Sequence, residues 1–422
     1  VNRAACTIVS PNYLPYARTL AASYLASHPD HRFFVLIVAD IPEAALFRGQ
    51  GFEPVMLQQI GLPDVYATAM TYDILELNTN VKPTFLKYLF AAHNLDQLVY
   101  LDPDIFVYAP LSPVFRELDA GASLVLTPHI TKPVFDGRNP SEQDHLYNGV
   151  FNLGFAAFGR SAESATALDW WESRCLNLGF SEGRTGLFVD QKWMNLAPCF
   201  FPAAAILRDA GCNMAYWNLH ERKLVRNSDS YAVEAQDGSI VPLCFFHFSG
   251  VVVSDASVLS RHTNRFSLSE RVDLHQLFAD YKRAVLLNAV PAVDALPYGF
   301  DAFSDGTTIT RLARRLYARW RERLAVSPAE NPFDAASTFA RLARRGHWAK
   351  GTLPPPKSTW HEFDPKDRRV RAVHWILRCT LRALGPHRYE LLMRYLSHIT
   401  VLRNQSVFLM ENPNEEGSTK RS

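Results

Sequence analysis

Leu98-Val99-Tyr100-Leu101-Asp102-Pro103-Asp104 is the stretch that decides the fold of this chain. Its first four residues are apolar on both faces, the pattern of a strand buried at the centre of a parallel sheet. Two carboxylates follow where that strand should emerge. Residues i and i+2 share a face, so Asp102 and Asp104 can address one cation and a diphosphate bound to it. Ligands of open α/β sheets lie beyond the carboxyl ends of strands, which is where this pair falls. Two aspartates that merely solvate a turn would leave the same local pattern. Ile105-Phe106-Val107-Tyr108 then carries the chain on as a second β-prone segment.

Working outward, the chain opens as an α/β unit. Ala5 to Val9 reads as a strand, Pro15 to Ser27 as a helix with Leu20, Tyr24 and Leu25 inward, and Arg32 to Ala39 as a second strand. Ser10, Pro11 and Asn12 fall at the first strand end, where a nucleotide can lie or a plain turn can sit. A further helix should follow Lys82-Pro83, since proline suits the first helical turn and Phe85, Leu86, Leu89 and Phe90 keep helical spacing. Lys82 and Lys87 are then candidate phosphate neighbours. Strand-like Ser123 to Leu126 and Val150 to Phe155 flank a long polar loop from Thr131 to Tyr147. His247, at the end of Leu243-Cys244-Phe245-Phe246-His247, offers an imidazole that can join two carboxylates around Mn²⁺ or Mg²⁺, or serve as a hydrogen-bonded core residue.

With 422 residues, 48% hydrophobic and 20% charged, the chain can form one large domain plus an appendage. A net charge of +2 gives no global electrostatic argument for a nucleic-acid partner. Cys6, Cys175, Cys199, Cys212, Cys244 and Cys379 lack metal-type spacing and read as reduced thiols, which suits a cytoplasmic location. No apolar run approaches the roughly 18 residues of a membrane span, and no signal-peptide pattern is read. The chain starts at Val1, as a trimmed chain or a module of something longer would. Beyond about residue 265 arginine-rich helical segments take over. Ile309, Leu312, Leu316, Tyr317, Trp320 and Leu324 form one face, with Arg311, Arg314, Arg315, Arg319 and Arg323 expected elsewhere. Pro354-Pro355-Pro356 reads as a stiff connection, Tyr389 to Leu402 as a final amphipathic helix, and residues 412–422 as a disordered tail.

Four segments in order resemble the metal-dependent glycosyltransferases of the GT-A fold, and most closely the glycosyltransferase family 8 pattern. They are Leu101-Asp102-Pro103-Asp104, Phe151-Asn152-Leu153-Gly154-Phe155, Asp190-Gln191-Lys192-Trp193-Met194-Asn195 and His247-Phe248-Ser249-Gly250. The resemblance spans roughly residues 3 to 260. It implies an α/β, Rossmann-like fold with a mixed, mostly parallel central sheet flanked by helices, here with a helical C-terminal extension. The expected organisation is a catalytic domain over residues 1–265, a mostly helical region over 266–411 and the tail.

The resemblance also implies a nucleotide-diphosphate-sugar donor, UDP-sugar favoured, and a divalent metal held by Asp102, Asp104 and His247. Ser10, Asn12, Lys82 and Asn152 become donor contacts, and Asp190 and Gln191 match the segment beside the reacting sugar carbon. Asp190 could instead cap the helix expected at Lys192. The family stereochemistry is retention. Two departures stand out: Val251-Val252-Val253-Ser254-Asp255 replaces the usual lysine-proline-tryptophan element after the histidine, and no arginine precedes the Asp-x-Asp strand.

Asn213, Tyr216, Trp217, Asn218, His220 and Arg222 mix aromatic faces with polar tips and are expected near a glycan, glycolipid or protein acceptor. The arginine-rich helices suit either peripheral contact with the inner face of a membrane or a homo-oligomer. A nucleotidyltransferase is the alternative enzyme, although Val9-Ser10-Pro11-Asn12-Tyr13 lacks a glycine-rich phosphate loop. An inactive sugar-binding module is the non-enzymatic alternative.

Overall fold

The computed structural model describes residues 1–41, 44–226, 230–255, 257–324, 330–349 and 366–410. They form two compact units: Val1–Thr68 with Ile74–Gly299, and Ala69–Asp73 with Phe300–Ser422. Pro354-Pro355-Pro356 and the tail from residue 412 lie outside the described residues.

The first unit is a mixed α/β fold. In chain order it contains β1 (Arg3–Val9), α1 (Leu14–Ser27), β2 (Arg32–Ile37), β3 (Glu53–Met56), α2 (Lys82–His93), β4 (Gln97–Leu101), β5 (Ile105–Val107), β6 (Leu124–Pro128), β7 (Phe151–Gly159), α3 (Ala162–Leu178), β8 (Ala204–Ile206), β9 (Met214–Ala215), β10 (Phe245–His247) and α4 (His275–Leu287). The central sheet has seven strands in the order β8-β6-β7-β4-β1-β2-β3. All pairings are parallel except the two that β7 makes with β4 and β6.

Local sequence explains this arrangement. Every residue of β4 is buried, as an apolar run between two covered faces requires. Leu14, Ala17, Leu20, Ala21 and Tyr24 of α1 join Ala5 and Val9 of β1 and Phe33, Val35 and Ile37 of β2 in one core. Register then places the carboxylates. Leu101 pairs with Phe155, and the Asp102 amide donates to the Gly154 carbonyl at 2.7 Å, so β4 delivers Asp102 beside the start of β7. A second sheet, β9-β10-β5, pairs His247 with Ile105, the residue after Asp104.

The change of pattern read near residue 265 does not end the first unit, which continues to Gly299. Phe278 and Tyr281 of α4 pack on Phe246 and Phe248, with the Phe248 and Tyr281 rings parallel at 3.7 Å. The polar stretch from Thr131 to Tyr147 is not all loop. Ser141 caps a short helix, Glu142–Asn148, by accepting from the Asp144 amide.

In the second unit lie α5 (Arg311–Arg323), α6 (Thr338–Arg345) and α7 (Arg368–Ile399). The expectation that the α5 arginines face away from the core fails for two of them, since Arg314 and Arg315 are 3% and 0% exposed. The guanidinium of Arg314 donates to the carbonyls of Ala69 at 2.7 Å, Tyr72 at 2.9 Å and Phe300. Its planar fork satisfies several buried carbonyls at once, which the helical pattern alone did not reveal. The final amphipathic segment is the second half of α7, which starts at Arg368 and breaks at Gly385, whose φ of 71° is non-helical. Among the described residues no helix is long and apolar enough to cross a membrane.

Candidate active site

Asp102, Asp104 and His247 converge where β4 ends, β5 begins and β10 ends. One ligand atom from each lies within 4.8 Å of the others. Nε2 of His247 is 3.0 Å from Oδ1 of Asp104 and 3.9 Å from Oδ2 of Asp102. Burial alone would lower the His247 pKa, but the Asp104 and Asp102 carboxylates outweigh it and raise it above the ordinary value. Nδ1 of His247 faces Oδ1 of Asn152 at 3.2 Å; as donor there, it leaves Nε2 pointed at the carboxylates.

Asp102 is itself oriented. Tyr100 donates to its Oδ1 at 2.7 Å, and burial, reinforced by the Asp102 charge, keeps that phenol protonated. Gly154 makes room for the cluster: a Cβ there would fall 2.3 Å from Cε1 of His247 and 2.8 Å from Oδ2 of Asp102. Two carboxylates and one imidazole on a cradle that excludes a methyl group are a donor set suited to a hard divalent cation with positions left for external oxygens.

The cluster opens on a cleft of about 510 Å³ beyond the carboxyl ends of β1 and β4. Ser10, Asn12, Asp102, Asp104, Asn152 and His247 all line it. Ser10 accepts from Asn78 at 3.0 Å, and the Tyr13 and Tyr16 rings stack at 5.0 Å close by. Arg261 and His262 also line this cleft and were missed by sequence reasoning. Gly250, with φ of 74°, turns the chain, and a Cβ on it would meet His262 and Ser260 at 2.5 Å. Arg261 returns its amide to the Gly250 carbonyl at 3.0 Å. The only sequence signal was a basic residue in the loop that replaces the absent lysine element.

None of the remaining expected residues lines the cleft. Lys82, 1% exposed, donates to the Leu153 carbonyl at 2.8 Å and to Oδ2 of Asp190 at 2.6 Å, with its ammonium 4.1 Å from the centre of the Tyr100 ring. Lys87 pairs with Asp169 at 2.7 Å and with Glu172 on α3. Asp190 does not cap the short helix Lys192–Leu196, which has no side-chain cap. Burial raises its pKa, with Lys82 opposing and Asp102 adding to the rise. Val189 just before it has φ of 41°, an outlier for a β-branched residue. Gln191 accepts from the Leu153 amide at 3.0 Å and donates to the Asn148 carbonyl at 3.1 Å, which anchors this segment to the start of β7.

The stretch from Asn213 to Arg222 is mostly internal. Asn213 donates to Thr127 at 2.8 Å and to Asn152 at 3.1 Å, and Asn218 donates to the His129 carbonyl at 3.2 Å. Trp217 is buried with its ring edge-on to His247 at 5.1 Å, and Arg222 donates to the Cys212 carbonyl at 2.8 Å. Only Tyr216 and His220 keep partial exposure. The segment therefore supports the histidine from behind more than it offers a sugar-reading surface.

No family model matches the chain. It is similar to two proteins of Bacillus subtilis (strain 168): YfnF, 28% identical over 282 residues, 64% of this chain and 89% of YfnF, and YfnD, 25% identical over 262 residues, 60% and 76% respectively. Solved structures similar to it include the galactosyltransferase LgtC in complex with donor and acceptor sugar analogs, at TM-score 0.40 and 18% identity, covering 68% of this chain and 97% of that one. The glycosyltransferase GlyE of Streptococcus pneumoniae TIGR4 matches at TM-score 0.36 and 15% identity, covering 75% and 72%.

Proposed function

We propose that this protein is a GT-A-type, metal-dependent glycosyltransferase that moves a sugar from a nucleotide diphosphate, UDP favoured, to a glycan, glycolipid or protein acceptor. The observation that carries this reading is the Asp102, Asp104 and His247 cluster opening on the cleft beyond β1 and β4. Mn²⁺ or Mg²⁺ held there would act as a Lewis acid on the diphosphate, neutralising the charge that develops as it leaves.

The chain's own groups supply the rest. Ser10 and Asn12 line the cleft at the end of β1, where they would contact the nucleoside, and Asn152 lines it beside the cluster, where it would contact the sugar. Arg261 takes the place of the missing lysine as a cation for the diphosphate, with no carboxylate partner among the described residues. Transfer forms a bond from the acceptor oxygen to the anomeric carbon as the bond to the diphosphate breaks. The acceptor proton passes to a departing phosphate oxygen. A covalent adduct would require Asp190 to leave Lys82, or Gln191 to leave the Leu153 amide. Front-face attack needs neither movement, and it retains configuration.

The test is a thermal-shift panel of nucleoside diphosphates and their sugars, with and without Mn²⁺, on the wild type and Asp104→Ala. A metal-dependent rise for one nucleotide that the variant lacks supports the reading. An equal response from the variant removes the metal site. Binding without any transfer or donor hydrolysis would move the assignment to an inactive sugar-binding module.

A further inference from the structure

α7 presents an apolar stripe and an arginine stripe at once, and no residue of either is buried among the described residues. Val373, Ile376, Leu381 and Leu384 are 39–54% exposed, and Trp375 is 65% exposed. At 100° per residue Val370, Val373, Leu377, Leu381 and Leu384 fall on one side of the first half, while Arg371, Arg378 and Arg382 flank that stripe along one edge, roughly 120° round from its centre. After the break at Gly385 the pattern resumes, with Leu392, Leu396 and Ile399 on one side and Glu390 and Arg394 on the other. The helix holds seven arginines and one glutamate, and none of its residues is buried. Arg369 and Arg394 have carboxylate partners in Asp367 and Glu390; Arg371, Arg378, Arg382 and Arg388 have none among the described residues.

We infer that α7 is a docking element for an anionic lipid surface, lying in the headgroup plane with its leucine and isoleucine stripe inserted. Charge decides between the occupants. A second copy packed through this helix would bring two arginine-rich strips together with a single glutamate on each to offset them, whereas anionic headgroups match the whole strip. Since α7 is too polar to span a bilayer, the mode is association with one leaflet. The α5 arginines contribute less, because Arg314 and Arg315 are buried. This inference is independent of the reading of the cleft.

The test is flotation of the full chain with phosphatidylcholine vesicles and with vesicles that also contain phosphatidylglycerol. Wild-type protein should float with the anionic vesicles only and be released by high salt. Arg371→Glu/Arg378→Glu/Arg382→Glu should weaken partitioning roughly a hundredfold, and Leu381→Asp/Leu384→Asp should abolish it. Both variants should keep the wild-type melting temperature, since every substituted side chain is exposed. Equal flotation with both vesicle types, no flotation of the wild type, or undiminished flotation of the arginine variant would overturn the inference. So would sedimentation of the wild type as a dimer that Leu381→Asp/Leu384→Asp converts to a monomer, which would assign the stripe to a second copy.

Discussion

The ammonium of Lys82 and the carboxylate of Asp190 lie 2.6 Å apart, each side chain 2% exposed, and join α2 to the Val189–Gln191 segment. Removing one partner leaves an uncompensated buried charge. Lys82→Met should therefore cost about 3–5 kcal/mol of unfolding free energy, and Lys82→Met/Asp190→Leu should recover much of that loss. Urea unfolding of both variants and of Asp190→Leu closes the cycle. Additive losses would mean that the two groups do not form an energetic unit.

Gly154→Ala tests the cradle. The added methyl cannot stay 2.3 Å from the His247 ring, so either the ring or β7 must shift. The expected outcome is a stability loss of about 1–3 kcal/mol from overpacking, together with loss of metal-dependent nucleotide binding. Mn²⁺ titration by thermal shift reads the second effect separately from the first.

Arg261 is exposed, so its removal should leave folding unchanged. Arg261→Ala should weaken nucleotide-diphosphate binding about tenfold, as loss of a charge-assisted contact of about 1.5 kcal/mol would. Nucleoside binding without phosphates should be unaffected. Calorimetry with both ligands checks the difference.

Acid should destabilise the first unit through His129 and His145, whose rings stack at 4.9 Å. Burial, helped by the neighbouring histidine charge, lowers His129 to about 3; burial lowers His145 to about 4. The unfolded chain then takes up protons first as pH falls through 6.5, so stability drops from there until the folded values are reached. Each ring contributes roughly 1.4 kcal/mol per pH unit at most. His145→Phe keeps the stack and removes one titration, so its stability should fall less steeply between pH 6.5 and 5 than that of the wild type.

The parts of this molecule legible in its sequence are those where one local pattern has one structural outcome. The apolar run before Asp102 could only be a covered strand, and Pro83 with helical spacing after it could only start α2. The Asp102, Asp104 and His247 grouping was readable because each residue stands at a strand boundary. Lys82 was expected beside the donor phosphates, and only the fold shows the buried Asp190 that pairs with it. Arg314 and Arg315 misled because the carbonyls of Ala69, Tyr72 and Phe300 that accept from Arg314 are distant in sequence. The space required at Gly154 has no sequence signal beyond the glycine itself.

Because β7 runs against both neighbours, its first residues stand at the edge where the parallel strands finish. Asn152 and Gly154 are thus built into a hydrogen-bonded ladder instead of hanging from a connection. The floor of the cleft is framework, fixed by strand pairing and not by the connections around it. Altering a connection at the rim should therefore leave the spacing of Asp102 and Gly154 intact, whereas a slip of one residue in the pairing of β7 would undo it.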